Sequence, residues 1–362
     1  MSVLVGYLPS WVRKLGPEGG RFLAAVLRYR SNPFSAARRY WSLYGERRFS
    51  PDEINYCHLL DPSFTPAQLA QFVSKQELLD LQCHLNPPAM HVLTEDKIRF
   101  YEHCVNAGLP VPRVYAVYDC DQQAPAHLER FLAHLPSDSC ILKPVTGLHG
   151  DGVTRLRRAV GGWNSDERVI TACEIARRIE KSSYRRWMLQ ELISAHSKLC
   201  ALSDVDGLQT IRVVTMVDRA GKVEILIALL KLLCRDAACD NFGYGRTGNV
   251  IADLDLDSGA IHSAVGGGAK GRHALTRHPR TGRDLIGFRV PGWDDVVRLA
   301  YDAAKAFMPL RTIGWDIAVT PGKPRLIEGN VTWDPPSGNP CMGDIYRSLQ
   351  ALDRCLADAG AG

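Results

Sequence analysis

Residues 313–330 read IGWDIAVTPGKPRLIEGN: two apolar runs joined by the turn-forming stretch Pro321-Gly322-Lys323-Pro324. Glu328 and Asn330 stand two residues apart, so on a strand both side chains leave the same face. Asp316 lies in the first run, and a hairpin brings it alongside them. Two carboxylates and an amide oxygen are hard donors that suit Mg²⁺, which takes one or two carboxylates and completes its shell with substrate phosphates. The stretch therefore predicts a hairpin with Asp316, Glu328 and Asn330 as candidate metal ligands and points towards nucleotide chemistry. A solvated hairpin end is the plainer alternative.

A second constellation lies upstream. Lys143-Pro144 ends an apolar strand, CILKP, and VTGLHGDG follows at once. Gly147, Gly150 and Gly152 let a backbone bend closely around a ligand and present N–H groups to phosphate oxygens, while a strand lysine adds a point charge. Neither GxxxxGK[ST] nor GxGxxG is present. Gln190-Glu191-Leu192-Ile193 ends another strand, where an acid can accept from an adenine amino group or ribose hydroxyls, and His196 follows within reach of ribose or phosphate. Arg212 in TIRVVT and Lys231 in ALLKLL each interrupt an apolar strand, where an unpaired cation is costly. They lie either on a wet face or opposite a transferred phosphate or substrate carboxylate. Asp240-Asn241, with Gly243, Gly245 and Gly248, forms a further polar, glycine-rich segment that lines the substrate side of a cleft or is only a mobile loop. In ADLDLDSG, Asp253, Asp255 and Asp257 alternate as in an edge strand running into a turn, without the EF-hand pattern.

The 362 residues are enough for two or three structural units, and 46% hydrophobic with 23% charged residues is ordinary for a soluble globular chain. A net charge of +5 does not by itself suggest nucleic acid, and no nucleic-acid partner is expected. Eleven cysteines show no CxxC spacing and read as reduced thiols. The most apolar stretch, VEILIALLKLL, is too short to span a bilayer, and no signal-peptide pattern opens the chain; a cytoplasmic location is the expectation.

Residues 1–50 differ from the rest: nine Lys and Arg face only Glu18 and Glu46, with aromatics interleaved. Segments 20–30 and 34–45 read as amphipathic helices. They suit an acidic partner, a membrane surface or a nucleic acid; the plainer reading is a helical cap packed on the main body with its arginines in water. Short helices follow to about residue 95. Then come a helix over 94–107 with Thr94 as N-cap, a strand in VPRVYAVY, alternating strands and a helix over 139–194, strands TIRVVTMV and VEILIALLKLL, a helix near 293–307, the acidic hairpin and a last helix near 343–358. The fold class is α+β, or mixed α/β. The units are a basic helical extension (1–50), a preceding domain (51–135), a small lobe with the glycine loop (136–195) and a large lobe with the metal site and C-terminal helix (196–362).

TEDKIRFYEHCVNAGLPVP, LKPVTGLHGDG, QELI, GWDIAVT and LIEGN, in this order, resemble the ATP-grasp superfamily. With TIRVVT, DNFGYG and EGNVTWD, the chain looks like its sugar-transfer-associated branch over roughly 90–340. The resemblance implies two α+β lobes gripping ATP between them. It matches Lys97 and Lys143 to the nucleotide-binding lysines, 147–152 to the phosphate loop, Glu191 and Ile193 to the adenine–ribose hinge, and Asp316, Glu328 and Asn330 to the magnesium ligands. Lys231 stands where this branch often has Arg. Arg212 would orient a carboxylate or stabilise a tetrahedral intermediate. The implied reaction is ADP-forming ligation of a carboxylate, from a small molecule or peptide, to an amine or thiol through an acyl phosphate, with ATP and Mg²⁺. A kinase acting on a hydroxyl, or a non-catalytic nucleotide-binding protein that recruits an acidic partner through its basic N-terminus, are the alternatives.

Overall fold

A computed structural model describes residues 17–147, 150–165, 168–268, 271–335 and 342–360. Its strands form two antiparallel sheets. The smaller has the order β1-β6-β2-β3-β4-β5, from β1 (Val114–Asp119), β2 (Ser139–Pro144), β3 (Thr154–Ala159), β4 (Gly162–Ser165), β5 (Arg168–Ile170) and β6 (Arg186–Glu191). The larger has the order β11-β10-β9-β8-β7-β12-β13, from β7 (Thr210–Val217), β8 (Val223–Leu232), β9 (Val250–Leu254), β10 (Ile261–Gly266), β11 (His273–Ala274), β12 (Thr312–Ala318) and β13 (Arg325–Asn330). The small sheet thus begins with β1, on the N-terminal side of the boundary expected at residue 135.

Alternation along each strand decides what covers each face. On the small sheet, Leu142, Leu156 and Leu189 pack with helices α8 (Pro125–Ala133) and α9 (Ala172–Glu180). On the large sheet, Val213, Ile313 and Trp315 bury against α11 (Trp293–Ala306). The opposite face, carrying Val214 and Met216, packs on α5 (Lys75–Leu85) and the C-terminal α12 (Gly343–Gly360). Further along that face, Leu229, Ile251 and Val265 meet α1 (Pro17–Tyr29) and α2 (Pro33–Trp41). The short helices α3 (Pro51–Tyr56), α4 (Pro66–Leu69) and α6 (Val92–Glu95), then α7 (Lys97–Asn106), complete the N-terminal part, and α10 (Ser197–Ser203) follows β6. What remains open on the second face of the large sheet looks towards the small sheet.

Two expectations need correction. Asp96, not Thr94, caps α7: its Oδ1 accepts from the Ile98 and Arg99 amides at 2.9 and 3.1 Å, while Thr94 belongs to the separate turn α6. The extended backbone at Asp96 starts the helix two residues later than a Thr94 cap would. The ADLDLD stretch is not an edge. Asp253 lies on β9, between β8 and β10, buried and accepting from the Ser263 hydroxyl, which satisfies a carboxylate that the pattern would place in water.

Asn86, just after α5, is buried and uses all its hydrogen-bonding capacity on the hairpin region: Nδ2 donates to the Thr312 and Val331 carbonyls, and Oδ1 accepts from the Arg311 and Thr312 amides. Replacing Asn86 by Ala orphans four buried backbone groups and should cost about 3–5 kcal/mol, read as a lowered urea midpoint at unchanged m-value.

Candidate active site

The two sheets enclose a cleft of about 850 Å³, within the range of small-molecule sites. Asp316 and Glu328 line one end of it and belong to a row of charged side chains across four strands; Arg212 and Lys231, in the same row, stand behind Asp316 and are absent from the lining. Asp316 on β12 is the register partner of Arg212 on β7 and of Glu328 on β13, so all three project from one face. Lys231 on β8 stands diagonal to Arg212, whose partner is Leu229.

Buried Asp316 is gripped by both cations. Its Oδ1 accepts from Arg212 Nε at 2.6 Å and Lys231 Nζ at 2.9 Å, and its Oδ2 accepts from Arg212 Nη2 at 2.9 Å. Burial alone would raise its pKa, but the two neighbouring charges outweigh that and hold the carboxyl well below the usual carboxylate range. Burial likewise opposes the charged Arg212, and Asp316 reverses the effect, raising its pKa. Asp240, which sequence reasoning placed only within a polar loop, joins this network: its Oδ2 accepts from the Thr210 amide and hydroxyl, and its Oδ1 lies 3.6 Å from Lys231 Nζ. No sequence spacing linked Asp240 to Thr210, 30 residues away.

Glu328 and Asn330 sit on the edge strand β13, side by side as the i, i+2 spacing predicted, with Asn330 Nδ2 3.4 Å from Glu328 Oε1. Glu328 makes no ion pair among the described residues. It and the Asn330 carbonyl oxygen therefore offer two hard donors to a divalent cation. Asp316 offers a third only by releasing its cations. This donor set fits Mg²⁺, which needs one or two carboxylates when phosphates supply the rest.

Opposite this row are two lysines. Lys143, at the end of β2, is buried, lines the cleft and makes no ion pair among the described residues. Burial lowers its pKa to about 8, only partly offset by the charge of Glu328. Lys97 opens α7, where its Nζ donates to the Gly147 carbonyl at 2.9 Å; burial lowers its pKa too. A buried cation with no anion beside it fits a phosphate chain.

The glycine loop turns here. Gly150 has φ +73°, and a Cβ on it would lie 2.8 Å from Cys239 Sγ and 3.3 Å from Asn241 Nδ2, so the small lobe's loop packs directly on the large lobe. Gly147 and Gly150 line the cleft; Gly152 does not, and instead turns the chain beneath Pro144 and Trp187. Leu148 and His149 lie outside the described residues.

Ile141, Leu192, Ile193 and Leu208 give the cleft an apolar part of its lining, with Gln190 among them. Gln190 donates to the Pro112 carbonyl. Glu191 also lines the cleft, but its Oε2 accepts from the Arg113 amide at 3.0 Å and from Arg325 at 3.4 Å, which ties the hinge to β13. His196 is absent from the lining: its Nδ1 accepts from the Lys198 amide and caps α10. At the mouth, Arg155 reaches Asp236 at 2.6 Å and Arg157 reaches Asp206 at 2.9 Å, joining the two lobes in a way no motif announced.

Comparison with known proteins follows this geometry. The family model described as sugar-transfer associated ATP-grasp matches residues 78–337. Similar solved structures include D-cycloserine synthetase DcsG (18% identity over 75% of this chain and 73% of that one, TM-score 0.44). VanG D-Ala:D-Ser ligase from Enterococcus faecalis (14%, 73% and 63%, 0.42) and D-alanyl-alanine synthetase A from Vibrio cholerae (11%, 75% and 67%, 0.43) are also similar. With TM-scores below 0.5, these likenesses carry no argument about chemistry, and the chain spans less than two thirds of the VanG ligase. No curated protein matches the sequence.

Two measurements follow from the charge arrangement. Asp316→Asn leaves Arg212 and Lys231 buried with their main counter-charge removed and should destabilise the free protein by about 3–5 kcal/mol, whereas Glu328→Gln should cost under about 1 kcal/mol in the same urea titration. Equal losses would remove the clamp. Lys143, with its pKa at about 8 against a reference of 10.5, binds fewer protons folded than unfolded between those values, so it adds stability as pH rises through that window. Bound phosphate reverses the shift. Calorimetry at pH 8 in buffers of different ionisation heat should therefore show proton uptake on ATP binding, lost in Lys143→Met.

Proposed function

The chain belongs to the sugar-transfer-associated ATP-grasp family, and from that membership we propose that it is an ATP-dependent ligase that activates a carboxylate as an acyl phosphate and transfers the acyl group to an amine or thiol, releasing ADP and phosphate. Its mixed α/β ATP-grasp fold has a cleft between the two sheets, which supports reading that cleft as the nucleotide site.

The observation that carries this reading is the buried Lys143, with no ion pair among the described residues, in the cleft that Glu328 also lines. Lys143 and Lys97 would hold the phosphate chain of ATP, with the glycine loop amides over it and the apolar lining at Ile141, Leu192 and Ile193 under the base. Glu328 and Asn330 would hold Mg²⁺, which when bound neutralises charge developing on the transferred phosphoryl group. Arg212, already aligned by Asp316, would orient the attacking carboxylate, and Lys231 would share its counter-charge between Asp316 and Asp240.

A carboxylate nucleophile is favoured over a hydroxyl by what the phosphate end lacks. A hydroxyl acceptor calls for a base to take its proton. Among the described residues, the carboxylates there are Asp240, held by Thr210 and Lys231, Asp316, clamped by two cations, Glu328, assigned to the metal, Asp151, which accepts from the Tyr184 hydroxyl, and Glu95, 3.9 Å from His91; no described histidine lines the cleft. A carboxylate attacks without losing a proton. We place the protein inside the cell, where ATP is supplied. Among the described residues, no helix is long and apolar enough to cross a membrane.

The test is release of ADP and phosphate from Mg²⁺-ATP over pooled carboxylic acids, amino acids, short peptides and amino sugars. Release should require an acid together with an amine or thiol, and Glu328→Gln should reduce it by about 100-fold or more. A stable phosphorylated hydroxyl would make the protein a kinase. Glu328→Gln turning over normally would remove the metal assignment.

A further inference from the structure

The basic N-terminal segment carries an exposed surface that the proposed chemistry does not use. Its apolar faces are already consumed: Phe22, Ala25, Val26, Ala36 and Tyr40 pack on the large sheet and its neighbours. What stands outside is unusual. Phe34 is 81% exposed and Trp41 46%, at i and i+7 of α2, with exposed Arg38 between them at i+4, so the three form one stripe along the helix. Tyr44 continues the stripe, 44% exposed with its ring centroid 6.2 Å from that of Trp41, and Leu27 is 56% exposed on α1.

The arginines of the segment divide into two groups. Arg39 and Arg47 turn inward and donate to the backbone carbonyls of Asp61, Phe64, Leu69 and Phe72. Arg30 and Arg38 are exposed and make no ion pair among the described residues. In the sequence, nine Lys and Arg against two Glu give residues 1–50 a charge of +7 where the whole chain carries +5, so everything after residue 50 sums to −2. The chain's net positive charge is therefore carried by the segment that bears the exposed aromatics.

We propose that this face docks on an anionic lipid surface, with Phe34, Trp41 and Tyr44 entering the headgroup region and Arg30 and Arg38 contacting lipid phosphates. Charge alone would suit any polyanion. The stripe favours a bilayer because its rings project from a helix surface instead of lining a groove, and aromatics with arginine on one helix face match the apolar–polar gradient of an interface. The charge of this segment would orient the protein as it approaches, and salt would weaken the attraction.

The full-length protein is sedimented with phosphatidylcholine vesicles containing or lacking about 30% phosphatidylglycerol. It should pellet with the anionic vesicles alone and be released at about 0.5 M salt. Phe34→Ser/Trp41→Ser and Arg30→Glu/Arg38→Glu should each weaken partition by at least about tenfold while leaving the urea midpoint and ADP release unchanged. Failure to pellet, or pelleting to the same extent in both double variants, overturns the proposal. So does an equal, aromatic-dependent affinity for a single-stranded oligonucleotide, which would make the stripe a base-stacking surface.

Discussion

One buried carboxylate organises the large lobe's part of the site. Asp316 has three hydrogen bonds from Arg212 and Lys231, and neither cation is tolerable in that position without it. Three adjacent strands, β8, β7 and β12, are thereby committed to one register at the point where the cleft opens. A one-residue slip of any of them would send its charged side chain into the apolar cluster around Trp315. The same pairing holds the two cations in fixed positions, already neutralised by Asp316 and Asp240.

The small lobe contributes charge of a different kind. Lys143 has no such counter-ion among the described residues and is held in place by the strand it ends and by the turn beneath Pro144. One lobe thus presents a neutralised, rigid cluster and the other an unneutralised cation on a loop-bearing strand. The lobes already touch through Gly150 and Cys239 and through the arginine pairs at the mouth. A ligand that brings Lys143 a counter-charge would add a contact to an interface that exists before it arrives.

Local patterns were legible in the sequence where local physics decides the outcome. The i, i+2 spacing of Glu328 and Asn330, the turn chemistry of Pro321–Pro324 and the alternation of the apolar strands all appear in the structure as hairpin and sheet. Long-range partners were not legible. That Arg212 and Lys231 would bond Asp316, more than 80 residues away in each case, depends on strand order, which no single stretch records. His196 and Glu191 read as nucleotide contacts because strand ends near a glycine loop often make them. The first caps a helix away from the cleft, while the second lines the cleft and also ties the hinge to β13. Asp253 misled for the same reason: an acid alternating with apolar residues is ordinarily wet, unless a hydroxyl on the next strand receives it.

Asn86 has a consequence for how such a chain diversifies. It joins the end of α5 to the backbone at both ends of the hairpin region that carries Asp316, Glu328 and Asn330. The segment before the cleft is therefore not a detachable cassette. An exchange that brought a new recognition module without an equivalent amide would loosen the strands bearing Asp316, Glu328 and Asn330. Changes of specificity are then steered towards loops that leave this joint intact.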